Sequence, residues 1–260
     1  MSTPDRYDII IAGAGMAGAT FALAAAQGGL KVMMIDPQPF DSQLAPAFDG
    51  RSTAIAFATF RMFDALGAGP MMRPHACRMD RILVTDGKRP GAASPRPSSA
   101  FLRFDADEIA DRTDGEPLGY MVENRRIRAA LGGAGAAAGI EVRAPAMAKT
   151  IETKPGKVTV TLTDGSVLEA PLVVGAEGRQ SPVRKAAKID TVGWGYDQSG
   201  VVATVSLGRD HGNVAYEYFL PGGPFAILPL TEQRASLVWT ETTRRAEALK
   251  VASDEAFHAH

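Results

Sequence analysis

Asp8 to Ala12 is a short, almost wholly apolar run, and such a run predicts a strand buried on both faces of a parallel sheet. A glycine-rich turn follows it. Met16 to Gln27, rich in alanine and leucine, then predicts a helix stopped by Gly28 and Gly29. Lys31 to Ile35 returns to an apolar run, which completes a strand–helix–strand unit with an expected right-handed crossover.

Past Asp36 the pattern changes. Pro37, Pro39 and Pro46 mark a loop, and Ser52 to Leu66 predicts a helix ended by Gly67. Arg81 to Thr85 and Phe101 to Phe104 predict strands around a Pro/Ser/Gly-rich loop, Lys88 to Ser99. Arg125 to Ala138 predicts a second alanine-rich helix, followed by a short strand from Ile140 to Arg143. Val158 to Thr163 and Val167 to Glu169 flank Asp164 and Gly165, a hairpin signal. Leu172 to Val174 reads as another buried strand ending in a second glycine turn. From Val201 onward, four alternating runs (Val201 to Leu207, Val214 to Leu220, Phe225 to Leu228, Ala235 to Thr240) predict an antiparallel sheet, built as a separate layer.

Composition narrows the function classes. The chain has 260 residues, 45% apolar and 22% charged, which suits a soluble globular protein with a substantial core. With 28 basic against 29 acidic residues it lacks the basic excess a nucleic-acid partner demands. Cys77 is the single cysteine and has no partner for an internal disulfide, in keeping with a reducing cytoplasm. His75, His211, His258 and His260 are too scattered to suggest a metal site. No apolar run approaches the roughly 20 residues of a spanning helix, so any membrane contact is expected to be peripheral.

The chemistry starts at Gly13-x-Gly15-x-x-Gly18, placed directly after a strand and opening a helix, with Asp36 at the end of the next strand. In that context the first glycine permits a tight turn and the second admits a pyrophosphate to the backbone. The third lets helix and strand pack closely. The helix start offers N–H groups to phosphates, and the acid can accept from a ribose diol. These features imply an adenine dinucleotide and leave NAD and FAD open. A second cluster, Gly133, Gly135 and Gly139, falls at the end of a helix and is read as small-residue packing with a cap.

Four stretches in order resemble the FAD-dependent aromatic hydroxylases of the p-hydroxybenzoate hydroxylase type. They are the fingerprint; Asp49-Gly50-Arg51-Ser52-Thr53-Ala54-Ile55-Ala56; Val122-Glu123-Asn124-Arg125-Arg126-Ile127; and Val174 to Arg184, which contains Gly175-Ala176-Glu177-Gly178. The middle two, with Tyr216 to Pro221, Ala226 to Leu230 and Leu237 to Thr240, resemble the subgroup that hydroxylates ubiquinone precursors.

The resemblance implies an α/β fold: an FAD-binding Rossmann-like domain with an interleaved antiparallel-sheet substrate domain. FAD-binding parts are expected at 1–80 and 111–190, with substrate-domain parts at 81–110 and 191–260. It also implies FAD held by Gly13, Gly15, Gly18, Asp36, Arg51, Asn124 and Glu177, with Arg51 on the pyrophosphate and Asn124 on the flavin side. Glu177 stands where the family has aspartate. No side chain is singled out as catalytic, because the flavin carries the chemistry.

The implied reaction is NAD(P)H- and O2-dependent hydroxylation of a phenolic ring, with a polyprenylated ubiquinone precursor as substrate. Tyr218, Phe219, Phe225, Leu228, Pro229 and Trp239 are candidates for the pocket wall. Other ubiquinone-biosynthesis proteins are the implied partners, at the periphery of the inner membrane. The family's later Gly-Asp-Ala-Ala-His-like motif is not reached before His260, so the C-terminal part of the fold is expected to be missing. The alternatives are an FAD-dependent reductase without oxygenation, or a truncated non-catalytic flavoprotein within a biosynthetic complex.

Overall fold

The structure, a computed structural model, describes residues 5–39, 49–87, 97–109 and 115–259. The chain groups into two compact units. Met1–Asp49, Arg61–Arg73 and Arg125–Gly193 form the first, and Gly50–Phe60, Pro74–Asn124 and Trp194–His260 form the second.

The first unit is built on a parallel sheet whose strands lie in the order Leu172–Gly175, Ile9–Ala12, Val32–Ile35, Glu141–Arg143. Ile9–Ala12 and Val32–Ile35 are buried at every residue, as their unbroken apolar runs require. The helix Met16–Gln27 joins them and turns Gly18, Ala19, Ala22, Leu23 and Ala25 inward. Four of those five are glycine or alanine, so the helix axis can approach the strands closely. Leu172–Gly175 was expected to be buried. It lies at one end of this four-strand order instead, with Leu172 48% exposed, because it has a strand on one side only.

A second sheet in this unit runs Asp5–Arg6, Val167–Ala170, Lys157–Leu162, Ala148–Lys154. The expected hairpin is present: Gly165 takes φ +86°, and Asp164 Oδ1 accepts from Ser166 N at 2.9 Å. Ile10, Met33, Val160, Leu162 and Leu168 form the centre of the core between the two sheets.

The second unit contains a six-stranded sheet in the order Gln198–Ser206, Arg234–Thr242, Gly223–Leu230, Val214–Leu220, Arg81–Gly87, Pro97–Asp105. Four of its strands are those expected after Val201. The sheet is not purely antiparallel, since Val214–Leu220 pairs in parallel with Arg81–Gly87. Residues 97–99, read as loop, begin a strand; residues 88–96 of that loop, like Pro46, lie outside the described residues.

The stretch Ser52 to Leu66 departs from the expected single helix. Ser52–Ala56 is a strand, and the helix covers only Phe57–Ala65. Ser52–Ala56 pairs antiparallel with Gly119–Glu123, which pairs in turn with Ala76–Met79. Cross-strand hydrogen bonding to a partner some 67 positions away in sequence outweighs the local helical tendency of two alanines. This three-stranded sheet draws 50–60 and 74–80, as well as 115–124, into the second unit, although those positions were read with the nucleotide-binding parts. Its residues Cys77, Met79 and Met121 pack with Ala215 and Leu230 in one core cluster.

Candidate functional site

The fingerprint turn is assembled from three strand ends. Gly13 N donates to Ile35 O at 2.8 Å, and Ala176 N donates to Ala12 O at 2.7 Å, so both glycine turns emerge together at the carboxyl edge of the parallel sheet. Gly13 has φ +100°, and a Cβ there would meet Ala176 O at 2.5 Å. A Cβ on Gly18 would meet Gly13 O at 1.9 Å. Packing within the protein therefore demands both glycines.

Gly15 is different. It caps the helix with an ordinary φ of −66°, and nothing lies within 4 Å of a Cβ placed on it. Space does not demand glycine at 15; it suits the helix N-cap, and the bare backbone leaves room there for an external group to approach.

Beside this turn is a cavity of about 200 Å³, lined by Ala14, Gly15, Met16, Met34 and Val142 together with Arg128, Leu131, Gly132 and Gly135 of the helix Asn124–Ala137. Sequence reasoning missed Arg128. The signal was there in the 3–4 residue spacing of Arg128, Leu131, Gly132 and Gly135, which puts them on one helical face. Part of the second glycine cluster therefore opens this cavity, while a Cβ on Gly133 would meet Met71 Sδ at 3.0 Å and Gly139 takes φ +68° just past the helix.

Asp36 is 9% exposed, and both its oxygens accept backbone N–H groups: Oδ2 from Ala14 at 2.8 Å and Oδ1 from Gln38 at 2.9 Å. It ties the end of the second strand to the fingerprint, and each oxygen retains a lone pair for a further donor. Glu177 lies on the second turn, where its Oε2 accepts from the Ser181 hydroxyl. Ser181 in turn caps the short helix Pro182–Ala186 by accepting from Arg184 N at 3.1 Å.

In the second unit, Arg51 is exposed just before the strand Ser52–Ala56, and its carbonyl accepts from Asn124 N at 2.9 Å. The buried Asn124 side chain accepts from Thr53 Oγ1 at 2.6 Å. Arg51 and Asn124 are thus held on neighbouring strand ends of one small sheet. Beside them Glu123 pairs with Arg234 Nη1 at 3.0 Å.

The pattern of a known family, described as FAD binding domain, matches residues 6–259. The chain belongs to that family. A Rhodospirillum rubrum relative, ubiquinone hydroxylase UbiL, is 38% identical over 253 residues, covering 97% of this chain and 56% of that protein. The rat ubiquinone biosynthesis monooxygenase COQ6 is 32% identical over 278 residues, covering 98% of this chain and 54% of its own length. Among solved structures, PqsL of Pseudomonas aeruginosa superposes with a TM-score of 0.76 at 19% identity, over 94% of this chain and 63% of its own, a likeness of fold. The chain thus spans a little over half the length of the curated relatives it matches.

The open space at Gly15 and the adjoining cavity with Arg128 fit the phosphate-bearing end of the family's cofactor. Among the described residues no group of three or more His, Cys, Asp or Glu side chains is arranged to hold a metal, and no helix is long and apolar enough to cross a membrane.

Proposed function

We propose that the protein to which this chain belongs is an FAD-dependent monooxygenase that hydroxylates the phenolic ring of a polyprenylated ubiquinone precursor, using NAD(P)H and O2. The observation that carries the cofactor is Gly15, a glycine with ordinary backbone and empty surroundings beside a cavity lined by an arginine. The reaction follows from relatives named as a ubiquinone hydroxylase and a ubiquinone biosynthesis monooxygenase, each aligned over nearly all of this chain. When bound, FAD supplies the activation of oxygen and the transfer of one oxygen atom to the ring.

The chain's own residues bind and orient. Gly13, Gly15 and Gly18 shape the turn that receives the pyrophosphate, Asp36 accepts from the adenosine ribose, and Arg128 adds a guanidinium to the same cavity. Arg51, Asn124 and Glu177 are proposed as further cofactor contacts. Peripheral contact with the inner membrane and with other ubiquinone-biosynthesis proteins belongs to the same proposal.

Purified protein titrated with FAD and followed by visible absorbance tests the cofactor. Retained flavin bands, then NAD(P)H oxidation and O2 consumption that depend on an added prenylated phenol, are the expected results. Flavin binding with no phenol-dependent O2 consumption would reject the hydroxylase.

A further inference from the structure

Across the six-stranded sheet of the second unit, strand register puts Leu102, Val84, Glu217, Ala226, Val238 and Val202 side by side in one transverse row, one residue from each strand. Five are apolar and one is a carboxylic acid. Two residues back along each strand the same face is closed, where Ala215 and Leu228 join Met121 and Cys77 in a core cluster. From the Glu217 row onward the face opens: Leu102 is 60% exposed, Phe219 55% and Val202 44%.

Among the described residues, the Glu217 carboxylate has no hydrogen-bond or ion-pair partner. Burial raises its pKa, with no partner to offset it. An unpaired carboxylate set among valine, alanine and leucine costs stability. An acid of this kind, alone in its row, with the exposed Asp86 one row further out beside Phe219, marks a binding position on a face still open to an incoming molecule. Six strands at about 4.8 Å spacing make the row about 24 Å long, enough for an extended aliphatic chain running to either side of one polar point.

We propose that this sheet face binds an amphiphilic phenol, the phenolic hydroxyl donating a hydrogen bond to the Glu217 carboxylate and the apolar tail lying along Ala226, Val238 and Val202. The proton stays on the phenol oxygen. A neutral donor suits the site better than an ammonium, which would also have to shed its water among apolar side chains. The assignment rests on the reading above that the substrate is a tailed phenol, and it adds the residue that recognises the hydroxyl.

The test is equilibrium binding of 2-octylphenol, its methyl ether and octylamine to the whole chain, followed by tryptophan fluorescence without flavin or turnover. The native protein is expected to bind the phenol about tenfold tighter than the ether, the size of a charge-assisted hydrogen bond. Glu217→Leu is expected to erase that preference by weakening the phenol alone, and Glu217→Gln to retain part of it, since the amide oxygen still accepts. The melting temperature of Glu217→Leu should equal or exceed that of the native protein.

Equal binding of phenol and ether by the native protein would overturn the proposal. So would an undiminished preference in the leucine variant, tighter Glu217-dependent binding of octylamine, or a melting temperature several degrees lower in both variants. Because no flavin takes part, a protein that shows the phenol preference yet consumes no O2 would sink the hydroxylase reading and leave this face standing.

Discussion

The carbonyl oxygen of Gly13 occupies the place where a β-carbon on Gly18 would point, 1.9 Å away, whereas a β-carbon on Gly15 would meet nothing within 4 Å. The two glycines of one fingerprint therefore answer to different demands. Gly18→Ala is expected to destabilise the fold by about 3 kcal/mol, the upper end for overpacking, because a carbonyl held at a strand end yields little. Gly15→Ala is expected to cost no more than about 1 kcal/mol, the loss of a glycine N-cap, while weakening FAD about tenfold or more. Thermal unfolding and flavin titration of the two variants separate these effects, and a Gly15→Ala protein with native FAD affinity would contradict the assigned pyrophosphate approach.

The cofactor contact proposed for Arg128 is open to a direct test. Its removal takes a guanidinium from the cavity beside the turn, so Arg128→Ala is expected to weaken FAD about tenfold, equivalent to about 1.5 kcal/mol, with the unfolding transition little changed. Titration at two ionic strengths checks the charge, since a phosphate contact loses affinity as salt rises.

Arg234 and Glu123 form an ion pair at 3.0 Å with side chains 20% and 8% exposed. Removing the guanidinium takes a charged partner from a buried carboxylate, so Arg234→Ala is expected to cost about 2–3 kcal/mol in denaturant unfolding. The double variant Arg234→Ala, Glu123→Gln should recover part of that loss. A single-variant cost below about 1 kcal/mol would place the pair among surface salt bridges.

Alkaline pH is expected to weaken the fold in two stages. Burial pushes the Cys77 thiol from its ordinary 9.0 up to about 11, and burial, reinforced by the hydrogen bond to Glu141, pushes the Tyr7 phenol from 10.0 to about 12. Both folded-state values are raised, so the folded chain binds more protons than the unfolded chain in these windows. The stability they contribute is complete below pH 9 and is lost as pH rises through 11 for Cys77, and between 10 and 12 for Tyr7. Unfolding measured from pH 8 upward should show this decline, and Cys77→Ala should remove its earlier part. Native Cys77 should also resist thiol reagents at pH 8, and react once unfolded.

The first strand–helix–strand unit was legible from local pattern, because each signal there acts over a few residues: an unbroken apolar run, a glycine turn, an alanine-rich helix and a glycine stop. The hairpin at Asp164 and Gly165 and the strands after Val201 were legible for the same reason. Of the site, the turn and Asp36 were visible in the sequence. The resemblance to aromatic hydroxylases matches the family and relatives found for this chain.

What only the folded chain decides are the features that depend on partners distant in sequence. Ser52–Ala56 is a strand because Gly119–Glu123 lies beside it, and Val214–Leu220 runs parallel to Arg81–Gly87 across more than a hundred residues. Arg128 reaches the fingerprint cavity only once the helix that carries it packs over the sheet. Glu217 is a solitary acid in an apolar row only after six strands bring Leu102, Val84, Ala226, Val238 and Val202 into register. Short-range propensity is written in neighbouring residues, whereas pairing and burial come from hydrogen bonds and apolar contacts that form when remote segments meet.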